Sequence, residues 1–198
     1  GYIGHDATLF SYLAQEPFRE NESAIAKLID IPLEKYQDKK EFFKGVEKAI
    51  EKSLAKEFKK APDGLFHLID EKNKLSQPKR FGFKGHIYIL TSGWTHSGGA
   101  VVCSMALNND NVTFIGQETG GGHEYYTAGN MVLYTLPNTL CQVEVPMILY
   151  RNEIPENSFP KGSGIVPKHQ VVQTQKDFIS GNDTVMQFAL ELIRKSKP

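Results

Sequence analysis

The clearest change of hydrophobic pattern along the chain falls between Gly85 and Leu107. Residues His86–Leu90 are apolar on both alternating faces, which predicts a central strand covered on both sides of a sheet. Turn residues follow, and after Ser97 apolar residues recur at helical spacing until Asn108. This strand–turn–helix pattern places Ser97 at a helix N-terminus, where free backbone N–H groups stabilise negative charge on an attacked carbonyl.

Ser97 has two interpretations at this point. Serine is a preferred N-cap residue, so its hydroxyl is expected to cap the helix. Alternatively, Ser97 is a nucleophile. Gly98 and Gly99 follow it and are poor helix formers, which indicates that another group approaches the backbone closely.

Three further segments have helical periodicity. Ala7–Leu13 is predicted as a helix with Asp6 as its N-cap, ended by Pro17. An amphipathic helix is predicted inside a helical insertion at about 34–62. A capping box at Asp38 and Glu41 marks its start, and Pro62 marks its end. Between them, apolar residues recur at helical spacing from Phe43 to Phe58. The last helix is predicted to begin after the capping segment Ser180–Asp183.

The other segments are predicted as short strands and loops. Alternation predicts a hairpin, and a Pro- and Gly-rich segment predicts a long surface loop of the kind that lines sites. The predicted strands are Val112–Ile115, Met131–Leu136, Cys141–Leu149 and Val171–Val172. Leu65–Ile69 is a short apolar segment, an extended segment is expected within Ser23–Leu33, and the long loop covers Arg151–Pro167.

Composition narrows the possible functions. The 198 residues suffice for one sizeable core, and Lys and Arg balance Asp and Glu at 23 each. Charge therefore gives no reason to expect nucleic acid or an anionic membrane as a partner. No apolar run is long enough to span a bilayer. Cys103 and Cys141 form no metal signature, so no metal or cofactor is expected; buried thiols are favoured and a disulfide stays open.

A glycine-rich turn follows the strand that ends near Ile115. Thr119, Gly120, Gly121 and Gly122 form a predicted substrate loop, since three consecutive glycines indicate a backbone that lies against a substrate or another loop. A phosphate-binding loop is the alternative, but it requires a following Gly-Lys-Ser/Thr that this sequence does not have.

Six motifs in order resemble the tail-specific (C-terminal processing) serine peptidase family, which includes the tricorn core proteases. They are the opening Gly-Tyr-Ile-Gly, TSGWTHSGG around Ser97, IGQETGGG, LPN, GIVP, and ISGNDTVMQFAL in the last helix. The resemblance favours the nucleophile interpretation of Ser97. The opening segment resembles the end of a glycine loop, so the chain is expected to be the C-terminal part of a larger peptidase.

The resemblance implies an α/β fold with a crotonase/ClpP-like ββα core. It also implies a serine endopeptidase that cleaves peptides or proteins near their C-termini through an acyl-enzyme on Ser97. The oxyanion would be held by Gly98 and by the loop that ends at Gly1. Family members are mostly periplasmic or on the cell surface.

The sequence departs from the family at the base and at its acidic partner. Glu118 and Gly122 stand where one branch has lysines, and Lys161 and Lys168 stand where the other branch has acids. A histidine upstream of Gly1 is the favoured base, so the isolated chain is expected to be inactive.

Three histidines and one lysine of the chain are the in-chain alternatives. His123, His96 and His5 are candidate bases, each of which is otherwise a surface or hydrogen-bonded histidine. Lys161 is a candidate contact for a substrate carboxylate, or else a solvated loop lysine.

The lost lysines and acids also support a second function, a catalytically dead module that binds peptides or other ligands. The fold alone would also admit a crotonase-like acyl-CoA enzyme.

Overall fold

The structure, a computed structural model, describes residues 5–31 and 46–196. The chain forms two compact units, one of residues 1–20, 76–124 and 152–198 and the other of residues 21–75 and 125–151. In chain order the elements are α1 (His5–Phe10), β1 (Asn21–Ala26), α2 (Val46–Glu57), β2 (Phe58–Lys60), β3 (Phe66–Leu68), β4 (Ile87–Thr91), α3 (Gly98–Ala106), β5 (Val112–Gly116), β6 (Tyr125–Tyr126), β7 (Met131–Thr135), β8 (Gln142–Pro146), β9 (Ile148–Asn152), β10 (His169–Gln170), α4 (Gln175–Ile179) and α5 (Thr184–Lys195).

The first unit is built on a parallel sheet in the order β10-β5-β4. The central strand of the described sheet is β5, so the prediction that His86–Leu90 forms a central strand is wrong. The apolar residues of β4 are half-buried, and α5 packs against β4 and β5. The Tyr88 hydroxyl lies 3.1 Å from Ser196 Oγ, just after α5. The apolar pattern of β4 therefore indicates that a helix packs on the strand, and it does not indicate the strand's position in the sheet.

Helix α3 confirms the helix predicted after Ser97. Six of its nine residues are buried, from Ala100 and Val101 through Cys103–Ala106. Helix α1 packs against it. Phe10, at the end of α1, lies edge-on to Phe18 with ring centroids 4.8 Å apart. Among the described helices of this unit, α3 therefore has the most buried residues.

Capping explains where two of the other helices begin. Asp183 caps α5, as predicted, by accepting a 2.9 Å hydrogen bond from the Met186 N–H. Helix α4 was not predicted from the sequence, although Thr174 and Asp177 form a capping box at its start. Asp6 lies inside α1, after His5, so its assignment as the N-cap is wrong.

The second unit contains a five-stranded sheet in the order β2-β3-β1-β9-β6, together with the hairpin β7-β8. The hairpin confirms the alternation prediction. The predicted capping box lies outside the described residues. Helix α2 ends at Glu57, before the predicted stop at Pro62, because Phe58–Lys60 pair antiparallel with β3. The core of this unit consists of Ala24, Ala26, Ile31, Ile50, Leu54, Phe58, Val132, Tyr134 and Ile148.

Three predicted boundaries in the second half of the chain need correction. The run Cys141–Leu149 divides at Met147 into β8 and β9. Arg151 and Asn152 belong to β9, so the long loop begins after them. The short strand predicted at Val171–Val172 forms two residues earlier, as β10. The structure combines sheets and helices in a mixed α/β fold, which agrees with the α/β class that the resemblance implies.

The two cysteines are free and lie in different environments. Cys103 is buried in α3, and burial raises the pKa of its thiol from 9.0 to about 11. Cys141 is exposed, so the expectation of two buried thiols is wrong for this residue.

We predict that a chromogenic disulfide reagent modifies Cys141 in the folded protein and Cys103 only after unfolding. Because folding raises the Cys103 pKa, its protonated form contributes stability below pH 9 that is lost as pH rises towards about 11. Thiol titration with and without denaturant measures the reactivities. Cys141→Ser serves as control and should remove the fast reaction. Fast modification of Cys103 in the folded protein would contradict this description of its burial.

Candidate active site

Ser97 lies at the turn between β4 and α3 with an unusual backbone conformation. Its φ is 54° and its ψ is −138°, outside the regions that L-residues normally occupy. Holding a residue in such a region costs on the order of 1–3 kcal/mol and is found mainly at functional sites. A strained serine on a sharp strand-to-helix turn is the arrangement that presents a nucleophile in α/β hydrolases.

The Ser97 hydroxyl does not cap the helix that follows it. Ser97 occupies the N-cap position, and its carbonyl accepts a 3.1 Å hydrogen bond from the Val101 N–H. Its side chain makes no capping hydrogen bond and is exposed, so the capping interpretation is wrong for this hydroxyl. The hydroxyl is therefore available to an incoming group, next to the first-turn N–H groups of α3.

Hydrogen bonds within the preceding turn fix the backbone that leads to Ser97. The Thr95 N–H donates to the Ser92 carbonyl at 2.8 Å, and Thr95 Oγ1 accepts from the Ser92 N–H at 3.0 Å. Ser92 Oγ accepts from the Trp94 N–H at 3.2 Å. These three bonds make Ser92–Thr95 a closed turn.

The glycine-rich turn packs directly against this segment. The Gly121 N–H donates to the Thr95 carbonyl at 3.1 Å. A Cβ at position 120 would overlap the Gly93 carbonyl oxygen, and one at position 121 would lie 2.5 Å from the Ala100 Cβ. The close backbone approach inferred from the glycines is therefore an approach to the loop that carries Ser97. Their role in binding substrate stays a prediction.

A third loop, Ser163–Ile165, lies on the other side of the glycine-rich turn. Thr119 Oγ1 accepts from the Ile165 N–H at 2.8 Å, and the Thr119 N–H donates to the Ile165 carbonyl at 3.1 Å. Glu118 Oε1 accepts from the Gly164 N–H at 2.8 Å. Glu118, which replaces a lysine of the resembled family, thus holds this loop in place.

His123 is buried and engaged in structural contacts. Its Nδ1 lies 2.8 Å from the Ser163 carbonyl oxygen, which only accepts, so Nδ1 carries the proton. Its ring lies edge-on to Phe159 at 5.4 Å. Its carbonyl accepts a 3.1 Å hydrogen bond from Ser104 Oγ, and Ser104 lies seven residues, about 10 Å, along α3 from Ser97. The same carbonyl accepts a 2.8 Å hydrogen bond from Asn152 Nδ2, and the His123 N–H donates to the Ser163 carbonyl at 3.2 Å. None of these described contacts of His123 is with Ser97.

The other predicted site residues are scattered. His96 is exposed, and its Cα lies against Gly121. His5 is exposed at the start of α1. Lys161 is exposed in the turn that the 3.1 Å bond from the Ser163 N–H to the Pro160 carbonyl closes.

Gly98 lies in the first turn of α3, as predicted. Gly122 is half-buried within the glycine-rich turn, and Gly1 lies outside the described residues. His96 and Gly98 are chain neighbours of Ser97. Among the other predicted site residues, the structure brings Gly120 and Gly121 to the segment that carries Ser97.

Asp6 lies near Ser97, a position that the sequence did not predict. Both of its carboxylate oxygens would lie 3.1 Å from a Cβ at position 98, so the carboxylate lies against Gly98, next to Ser97. Local sequence identified Asp6 only as a helix-start residue, because no short-range pattern reports that α1 packs on α3.

Residues 5–31 and 46–196 contain no group of three His, Cys, Asp or Glu side chains arranged to hold a metal ion. Within the same ranges, no helix is long and apolar enough to cross a membrane.

Comparisons with known proteins identify a related fold. No family model matches the chain, and no curated protein is significantly similar to it. Among solved structures, the chain is similar to a crystal structure of a putative peptidase from Parabacteroides merdae, with a TM-score of 0.51 and 15% sequence identity. The match covers 97% of this chain and 48% of that chain, so this chain spans about half the length of its structural neighbour. At this identity the likeness establishes a shared fold.

We predict that Gly120→Ala destabilises the protein by about 1–3 kcal/mol, because the new Cβ overlaps the Gly93 carbonyl oxygen and forces the two loops apart. Gly93→Ala is the matched control. A Cβ at position 93 meets no atom within 4 Å, so the stability should stay within about 0.5 kcal/mol of wild type. Urea unfolding measures both variants. Equal midpoints for the two variants would contradict the described packing.

Proposed function

We propose that this chain is part of a serine peptidase in which Ser97 forms an acyl-enzyme. The observation that carries the proposal is the state of Ser97: its φ is 54°, its hydroxyl makes no capping bond, and its side chain is exposed at the start of α3. The name given to the similar Parabacteroides merdae protein, a putative peptidase, supports the same class of activity.

The chemistry follows from the position of Ser97. Its Oγ attacks the scissile carbonyl carbon, its proton passes to a base, and the carbonyl oxygen becomes an oxyanion. The Gly98 N–H, at the start of α3, is proposed as one donor to that oxygen, and the resemblance adds the loop that ends at Gly1. The leaving amine takes the proton from the base, and water then hydrolyses the acyl-enzyme.

The base is proposed to be a histidine upstream of Gly1, as the family resemblance implies. Asp6, whose carboxylate lies against Gly98, is proposed as the acid that orients this histidine. The resembled family has acids at the positions of Lys161 and Lys168, so Asp6 supplies the missing charge from a different element.

The narrower assignment rests on the six ordered motifs. We propose a C-terminal processing peptidase with a crotonase/ClpP-like core, periplasmic or on the cell surface. The chain spans about half of its structural neighbour, so upstream segments are part of this proposal. The substrate is proposed to be a peptide or protein.

One observation favours a second function, a non-catalytic module that binds peptides or other ligands. At a position where one branch of the family has a lysine, Glu118 accepts a hydrogen bond from the Gly164 N–H. Glu118 therefore has a structural role that is compatible with a family member without activity. Labelling with a serine-reactive probe separates the two functions, because only the peptidase requires a reactive serine.

We predict that a fluorophosphonate probe labels the full-length protein at Ser97 and that Ser97→Ala abolishes the labelling. The probe reacts with serines activated by a base and an oxyanion site, and both are proposed to meet at this residue. Gel fluorescence and peptide mass spectrometry measure the labelling.

Ser180→Ala is the matched control and should be labelled as wild type. Ser180 is also an exposed serine at a helix end, but its hydroxyl donates to the Lys176 carbonyl at 3.0 Å. Equal labelling of wild type and Ser97→Ala would reject the nucleophile. Absence of labelling in a protein that binds peptides would favour the non-catalytic module.

A further inference from the structure

The turn that leads to Ser97 carries an unusually exposed aromatic residue. Trp94 is 87% exposed and is the single tryptophan of the 198-residue chain. Tryptophan is normally well buried, since its large ring gains much from removal from water. Because this exposed tryptophan lies close to the candidate nucleophile, a role in binding substrate would explain its exposure.

The backbone under this ring is held in place. The Trp94 N–H donates to Ser92 Oγ at 3.2 Å, inside the turn that the Thr95 N–H closes on the Ser92 carbonyl. The glycine-rich turn packs against the same segment through the bond from Gly121 to Thr95. The ring is therefore presented to solvent from a fixed backbone, which lowers the ordering cost when it contacts a ligand.

The spacing places the ring within reach of a bound peptide. Trp94 is three residues from Ser97, so their Cα atoms are at most about 11 Å apart. An extended peptide rises about 3.3 Å per residue. A peptide whose scissile carbonyl lies at Ser97 can therefore reach the indole with a side chain two or three residues from the cleaved bond.

The surroundings of the turn are open on this side. Gly93, Trp94, His96, Ser97 and Gly99 are all exposed, and a Cβ at position 93 would meet no atom within 4 Å. An indole with an accessible face binds aromatic and large aliphatic side chains through apolar area and ring stacking. Large aromatic anchors of this kind dominate recognition at protein interfaces.

We propose that Trp94 is a specificity-determining residue that binds a large apolar side chain of the peptide, two or three residues from the bond cleaved at Ser97. This inference rests on the proposed peptidase function. It adds a substrate preference that the nucleophile and the oxyanion donor do not set.

The kinetic test uses Trp94→Ala, Trp94→Phe and the control Phe81→Ala in the full-length protein. Phe81 is a comparably exposed aromatic residue, at 85%, in a different loop of the same unit. The substrates are paired quenched peptides that carry Phe or Ser two or three residues from the scissile bond. Trp94→Ala should raise KM about tenfold for the Phe peptide with kcat little changed, and it should leave the Ser peptide unaffected.

Trp94→Phe should restore most of the affinity, since it retains an aromatic face, and Phe81→Ala should behave as wild type. Equal losses for both peptides, or equal effects of Trp94→Ala and Phe81→Ala, would overturn the proposal.

A binding measurement separates this inference from the proposed function. In Ser97→Ala, which cannot turn over, the Phe peptide should shift the Trp94 emission to the blue and protect it from iodide quenching. Trp94→Phe provides the background signal. An emission shift in Ser97→Ala, together with no probe labelling of Ser97 in the wild-type protein, would support the subsite and reject the peptidase. Labelling of Ser97 without a shift at saturating Phe peptide would reject the subsite and leave the peptidase.

Discussion

Backbone contact between two loops is the constraint on which the candidate site depends. The glycine-rich turn lies so close to the segment before Ser97 that side chains at positions 120 and 121 would overlap the Gly93 carbonyl and Ala100. The Thr95 carbonyl and the Gly121 N–H join the two loops directly. With the loops in contact, the chain must turn sharply from β4 into α3.

The neighbouring loops therefore hold Ser97 in its strained backbone conformation. On the other side of the glycine-rich turn, Thr119 binds the backbone of Ile165 and Glu118 binds that of Gly164. A φ of 54° at a non-glycine residue persists only when the surrounding structure holds it. The three loops supply that support. The strained conformation leaves the Ser97 hydroxyl exposed at the N-terminus of α3.

Local signals predicted the parts of this site that are set by nearby residues. The change from strand to helical spacing located α3, and the run of glycines indicated a close backbone approach. The same signals failed where distant elements meet. They assigned Asp6 to a cap, although its carboxylate lies against Gly98, and they placed β4 at the centre of a sheet whose described order has β5 there. His123 illustrates the same limit, because its bond to Ser163 spans 40 residues.

The central claim is that Ser97 Oγ and the first-turn N–H of α3 act on the same carbonyl. A crystal structure of the full-length protein after reaction with a peptidyl phosphonate tests it most directly. The account predicts a covalent bond from phosphorus to Ser97 Oγ, with a phosphonyl oxygen about 2.7–3.1 Å from the Gly98 nitrogen. Phosphorus bound to another residue, or an adduct oxygen directed away from Gly98 into solvent, would contradict it.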